Sequence, residues 1–373
     1  MKRLRISLRA WSVLAKKIDP QRSRQRWHWQ QSLSAACQSL LMRMQEASYA
    51  EALICVSPPP PIFLLGFWRS GTTLLHELFC CDRKFGYPST YACLNSAHFL
   101  LTERSLRHHV LGQSSRRPMD NVQYSWASPQ EDEFALLSAG APSPYEALLL
   151  PSLLAQPRSL LDLNARPAPE QELWKECFLN FLRMLTLQQG KPMVLKSPSH
   201  GFKLSRLAVM FPESRFVIIE RNPFEVFASN VKLWQTLLDL YSLESYSSDD
   251  VEEFVLAAYV IHEEAIADGC RTISHNRLAR VRYEDLVTDS IAEMRRLYSE
   301  LQLEDFEAVR PAIEEYLRGV SGYKRNRYHL SDAQKERIEQ RWSFLIRHKG
   351  YDLSTEPPSL RQSALHGLSR TSA

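Results

Sequence analysis

Three short apolar runs punctuate the chain, and after each one the hydrophobic positions switch to helical spacing. The first, Ile62-Phe63-Leu64-Leu65, stops at Gly66 and resumes beyond Gly71 with Leu74, Leu75 and Leu78. The second, Met193-Val194-Leu195, enters Lys196-Ser197-Pro198 and is followed by Leu204, Leu207 and Met210. The third, Arg215-Phe216-Val217-Ile218-Ile219-Glu220, gives way to Arg221-Asn222-Pro223 and a helical pattern over Phe224–Leu238. Strands without polar alternation are buried on both faces, and strand–turn–helix units of this kind build a parallel sheet covered by helices. The pattern therefore predicts an α/β fold.

The flanks of this pattern set the expected boundaries. Ser57-Pro58-Pro59-Pro60-Pro61 is compatible with neither a helix nor a central strand, so residues 1–57 form a helical extension and residues 58–352 the main domain. Within that domain, residues 85–170 are Pro-rich and irregular apart from a short helical stretch near Glu131–Leu137, and read as an insertion that forms an acceptor pocket or lid. Residues 249–320 read as helices with one strand at Ala279–Arg282. The polar stretch 353–373 reads as a frayed tail.

Composition adds exclusions. With 373 residues, 44% hydrophobic and 24% charged, the chain is long enough for an ordinary core. It has no apolar stretch long enough for a transmembrane helix, and its basic start lacks a signal-peptide pattern, which points to the cytoplasm. The seven cysteines lack C-x-x-C spacing and are expected to be reduced and mostly buried. Residues 1–30 carry nine Lys/Arg against Asp19 alone, a net +8 that leaves −4 on the other 343 residues when taken from the whole-chain +4. The body is thus mildly acidic, which disfavours nucleic acid as a partner. In the basic segment, Leu4, Leu8, Trp11, Leu14 and Ile18 share one helical face. That face is expected to pack on the domain or a partner subunit; the alternative is peripheral contact of residues 1–18 with an anionic membrane.

The chemistry concentrates at the ends of the apolar runs. Gly66-Phe67-Trp68-Arg69-Ser70-Gly71-Thr72-Thr73 aims backbone N–H groups and a helix N-terminus at an anion, with hydroxyls from Ser70, Thr72 and Thr73. It misses the nucleotide P-loop pattern at one position, Thr72 standing where the lysine belongs, and carries its cation inside the loop as Arg69. Arg221 and Ser229 stand eight residues apart after the third run, where an Arg-Asn-Pro turn by itself is more often a surface cap. Lys196 ends the second run.

Arg-Ser-Gly-Thr-Thr after a buried strand resembles the 5′-phosphosulfate loop of sulfotransferases that use 3′-phosphoadenosine 5′-phosphosulfate (PAPS). The resemblance spans roughly Pro61 to Tyr351 and is nearer to the bacterial and tyrosylprotein-type branch than to the small-phenol enzymes. It implies a P-loop-like doubly wound parallel sheet, with Arg69, Ser70, Gly71, Thr72 and Thr73 holding the 5′-phosphosulfate. Arg221 and Ser229 would then hold the 3′-phosphate. Leu195-Lys196-Ser197-Pro198-Ser199-His200 resembles the family segment whose lysine steadies the departing phosphate oxygen, which makes Lys196 catalytic alongside Arg69. Gly322-Tyr323-Lys324-Arg325-Asn326 resembles the late basic loop that closes over the nucleotide; an exposed basic loop is an equal reading for Lys324, Arg325 and Asn326. Tyr283-Glu284-Asp285-Leu286 resembles a recurring family segment with a structural role.

Sulfuryl transfer to a hydroxyl or amine needs a general base. The glutamate that some members place about twenty residues after the loop has no counterpart in Tyr87–Tyr91, and Pro198 occupies the position of a histidine used by others. Glu131 or Asp132, from the acidic cluster Glu131-Asp132-Glu133, is the leading candidate, followed by His200. The expected activity is in-line transfer from PAPS to a small-molecule, carbohydrate or lipid acceptor, with no metal. The alternatives are a P-loop kinase, against which the missing lysine argues, and a catalytically silent binding protein.

Overall fold

The computed structural model describes residues 6–17, 28–110, 114–116, 123–320 and 329–351. Its strands are β1 (Ile62–Leu65), β2 (Ser114–Arg116), β3 (Gln123–Ser125), β4 (Val194–Lys196), β5 (Arg215–Glu220) and β6 (Leu278–Arg282). Strands β4, β1, β5 and β6 form, in that order, one parallel sheet. Phe63 pairs with Leu195 on one side and Phe216 on the other, so the three apolar runs of the sequence lie side by side as its centre. The chain has the P-loop-like fold expected.

Alternate residues of each strand enter different cores. Ile62, Leu64, Val217, Ile219 and Val281 pack with Leu75, Phe79 and Tyr298 below the sheet. Phe63, Leu65, Leu195, Phe216 and Ile218 pack above it with Trp174, Phe178 and Leu182 of the helix Ala168–Gln189. A third core lies beyond the sheet, where the helices Pro223–Tyr241, Ser248–Cys270 and Asp332–His348 meet around Trp234, Phe254 and Trp342.

Residues 85–170 are more regular than expected. They contain the helices Thr90–Leu94, Phe99–Val110 and Glu133–Ala139, the antiparallel pair β2–β3, and 3₁₀ turns at Pro144–Leu148 and Pro151–Ala155. Prolines that look disruptive in the sequence stand at first helical positions, where their missing N–H costs nothing: Pro144, Pro151 and Pro157.

The helix Leu8–Ala15 packs on the domain, the first of the two expected placements. Ile6, Ala10, Trp11 and Leu14 are buried in the third core, and Trp11 Nε1 donates to Ser32 Oγ at 2.7 Å. The face expected to offer Trp11 and Leu14 to a membrane is therefore occupied; Leu8 is exposed, and Leu4 and Ile18 lie outside the described residues. The cysteines are all unpaired, but only Cys93 is buried, and Cys37 and Cys55 are exposed. No helix among the described residues is long and apolar enough to cross a membrane. The tail from residue 353 lies outside the described residues.

Candidate active site

The carboxyl ends of β1, β4 and β5 converge, as they do at the ligand crevice of open parallel sheets. From β1 the chain turns through Gly66–Gly71 into the helix Thr72–Cys80, and no side chain caps that helix. Its first N–H groups therefore have no acceptor within the helix and face the crevice as donors. Gly71 has φ +100°, and a Cβ there would lie 2.2 Å from Cδ2 of Tyr283, so both the turn and the contact demand glycine. Arg69 is one of few non-glycine residues with positive φ, at 70°. Such strained backbone persists where its surroundings hold it. Here Ser70 supplies the restraint, its hydroxyl donating to Phe67 O at 2.8 Å. Thr72 and Thr73 occupy the first helical turn.

Arg221 and Ser229 both reach this loop. Arg69 Nε donates to Ser229 Oγ at 2.8 Å, and Arg221 Nη1 donates to Arg69 O at 3.0 Å. Arg221 also pairs with Glu225 and lies over the ring of Tyr283, 4.5 Å from its centroid. Asn222 Oδ1 accepts from Phe224 N, which starts the helix Pro223–Tyr241 so that Ser229 faces back toward the loop. Arg69 is thus in contact with both Arg221 and Ser229, 152 and 160 residues away. Tyr283 is the floor beneath Arg221 and lies against Gly71, the structural part expected of its segment.

The acidic cluster meets the end of β4 and the segment after it residue by residue. Lys196 Nζ donates to Glu131 Oε1 at 3.0 Å; His200 Nε2 lies 3.0 Å from Asp132 Oδ1; Lys203 Nζ donates to Glu133 Oε2 at 3.1 Å, and Ser199 Oγ donates to Glu133 as well. Their exposure separates them. Asp132 and His200 are fully buried, His200 edge-on to Phe63 and Phe178, so neither presents an atom to an acceptor. Although burial pushes the Asp132 carboxyl up, the His200 charge and hydrogen bond outweigh it and hold Asp132 below its ordinary range. The two thus pair with each other in the interior. Glu131 keeps 16% of its side chain exposed.

Two residues that sequence reasoning missed complete this group. The Tyr145 hydroxyl donates to Glu131 Oε2 and accepts from Trp68 Nε1 at 3.0 Å. Burial first, and then Glu131, push the Tyr145 phenol well above its usual range, so it remains a neutral donor. A continuous path runs from the anion loop (Trp68) through Tyr145 and Glu131 to Lys196. Nothing in the spacing of residues 68, 131, 145 and 196 signals it; aromatic content near a glycine-bounded loop was the one available hint. Lys324, Arg325 and Asn326 lie outside the described residues. Among the described residues, no group of three or more His, Cys, Asp or Glu side chains is arranged to hold a metal ion.

A family model described as the sulfotransferase family matches residues 60–308. The chain is 36% identical over 308 residues to the omega-hydroxy-beta-dihydromenaquinone-9 sulfotransferase Stf3 of Mycobacterium bovis, and equally to that of Mycobacterium tuberculosis; the match covers 83% of this chain and 79% of the relatives. Among solved structures, sulfotransferase STF9 of Mycobacterium avium superposes with a TM-score of 0.67 at 15% identity, covering 95% of this chain and all of that one. Sulfotransferase STF1 of Mycobacterium tuberculosis superposes with a TM-score of 0.61 at 19% identity, over 89% and 91%. These likenesses speak for the shared fold.

Proposed function

Since the chain belongs to the sulfotransferase family and is a sulfotransferase, we propose that it moves a sulfuryl group from PAPS to a hydroxyl of a small, lipid-like acceptor. The observation that carries this reading is the contact of Arg69, Arg221 and Ser229 beside an uncapped helix N-terminus, with the Lys196–Glu131 pair across the same crevice. Two guanidinium groups, a hydroxyl and free backbone donors form a set suited to a nucleotide with two separate anionic groups. PAPS supplies an activated sulfuryl group when bound. The roles divide as follows: Arg69 and residues Ser70–Thr73 hold the 5′-phosphosulfate, and Arg221 and Ser229 hold the 3′-phosphate. Lys196 stabilises charge on the phosphate oxygen as its bond to sulfur breaks. Glu131 takes the acceptor's proton as the acceptor oxygen bonds to sulfur, with Tyr145 fixing the carboxylate's orientation. The scheme requires no metal. The lipid-like acceptor is supported by the named substrate of the 36%-identical relatives, a hydroxylated dihydromenaquinone. The family assignment decides against the kinase.

The test is calorimetric titration with adenosine 3′,5′-bisphosphate in EDTA, with magnesium–ATP as control. The expected result is metal-free binding that Arg221→Ala weakens roughly tenfold to a hundredfold through loss of a charge-assisted contact. Absence of binding, or binding indifferent to Arg221, overturns the cofactor assignment.

A further inference from the structure

Asn230 follows Ser229 on the helix Pro223–Tyr241 and is fully buried. Its Nδ2 donates at 2.7 Å to Trp68 O in the anion loop and at 2.7 Å to Val226 O one turn back. Both neighbours are carbonyl oxygens, so the side-chain amide has one orientation: turned over, it would set Oδ1 against two acceptors. Oδ1 itself is buried with no partner among the described residues. A buried polar atom left unpaired lowers stability, and a leucine of similar size would carry no such atom. What the asparagine supplies instead is a pair of donors, one of which reaches across to the loop.

That donor acts at a sensitive place. Trp68 O belongs to the peptide group that leads into Arg69, whose φ is +70°. In a trans peptide the carbonyl and the following N–H point in opposite directions, so holding Trp68 O also sets the direction of Arg69 N–H. Ser229, the preceding residue of the same helix, accepts from Arg69 Nε at 2.8 Å. Successive residues of one helix thus hold Arg69 at both ends, its guanidinium by Ser229 and its incoming peptide by Asn230. The Trp68 side chain is held as well, edge-on to Trp234 and donating to Tyr145.

We propose that Asn230 is a positioning residue for the 5′ end of the nucleotide: it fixes the 68–69 peptide so that the loop meets the 5′-phosphate in a preset conformation. Fully buried, it acts only through the loop. A loop without this anchor closes on the anion only by giving up its freedom at the moment of binding, which weakens the contact. That loss falls on the 5′ end, since Arg221 and Ser229 keep their places on the helix and its first turn. The inference rests on the reading of this loop as the 5′-phosphosulfate site.

The test is calorimetry on the full chain with two ligands, adenosine 3′,5′-bisphosphate and adenosine 3′-monophosphate, which differ only in the 5′-phosphate. The unaltered protein is expected to bind the bisphosphate more tightly. Asn230→Leu should weaken the bisphosphate roughly tenfold and leave the 3′-monophosphate within about twofold. Asn230→Ala, which removes the amide without adding a group, should give the same split. Hydrogen exchange should quicken across residues 66–71 in both variants and stay slow along the helix Pro223–Tyr241, which separates a loosened loop from a misfolded domain. The proposal is overturned if both variants bind the bisphosphate as the unaltered protein does, or if the two ligands weaken equally. An unaltered protein for which the 5′-phosphate adds no affinity overturns the reading of the loop itself, and the proposal falls with it.

Discussion

Lys196 is 1% exposed, and its ammonium group lies 3.0 Å from Glu131 Oε1. Such a group is tolerated because Glu131 pairs with it, and the pair joins the two proposed chemical roles in one contact. Glu131→Gln is expected to lower kcat roughly 10²- to 10⁴-fold, since the neutral amide takes no proton, with adenosine 3′,5′-bisphosphate still bound. Lys196→Met is expected to cost about 10²- to 10³-fold in kcat. Steady-state rates beside calorimetry separate both effects from misfolding. At the same scale, Arg69 and Tyr145 show the limits of motif reading. Arg69 was legible because it sits inside a recognisable loop. Tyr145 was not, because its value lies in two hydrogen bonds to residues 77 and 14 positions away.

Single elements carry their own consequences. The turn into the helix Thr72–Cys80 exists only with glycine at position 71, and Tyr283 fills the space a side chain would need. Gly71→Ala should therefore lower stability by on the order of 1–3 kcal/mol and shift the ring beneath Arg221, weakening the nucleotide; thermal melts and calorimetry read the two effects. At the other end of the sheet, Glu263 joins two elements, accepting from Lys349 after the helix Asp332–His348 and facing His262 beside it. Burial pushes this carboxyl up, but the His262 hydrogen bond and the Lys349 charge more than offset it and hold it at about 2, against an ordinary 4.5. A carboxyl depressed on folding stabilises the protein fully above its unfolded value and loses that contribution as pH falls toward the folded one. Urea midpoints should drop between about pH 4.5 and 2, by an amount on the order of a few kcal/mol, and Glu263→Gln should flatten that slope while lowering stability near neutrality.

For the molecule as a whole, the helix Leu8–Ala15 is part of the core. Trp11 lies in the same hydrophobic cluster as Trp68, Tyr145 and Trp234. Trp11→Ala should destabilise the whole domain by about 3–5 kcal/mol, seen as one cooperative transition at lower denaturant. A melt in which only a minor, separate step moved would instead mark an independent appendage. The sequence by itself determined the sheet, because strands buried on both faces must be written as unbroken apolar runs. It also determined the anion loop, because glycine and a helix start are local needs. Only the tertiary structure decided which of three adjacent carboxylates is accessible. Glu131, Asp132 and Glu133 are equivalent as letters, and each found a different partner at the end of β4 or beyond it: one at the crevice, two in the interior. It likewise decided what covers the apolar face of the helix Leu8–Ala15: a face is buried only once a neighbour covers it, and burial is a property of the pair.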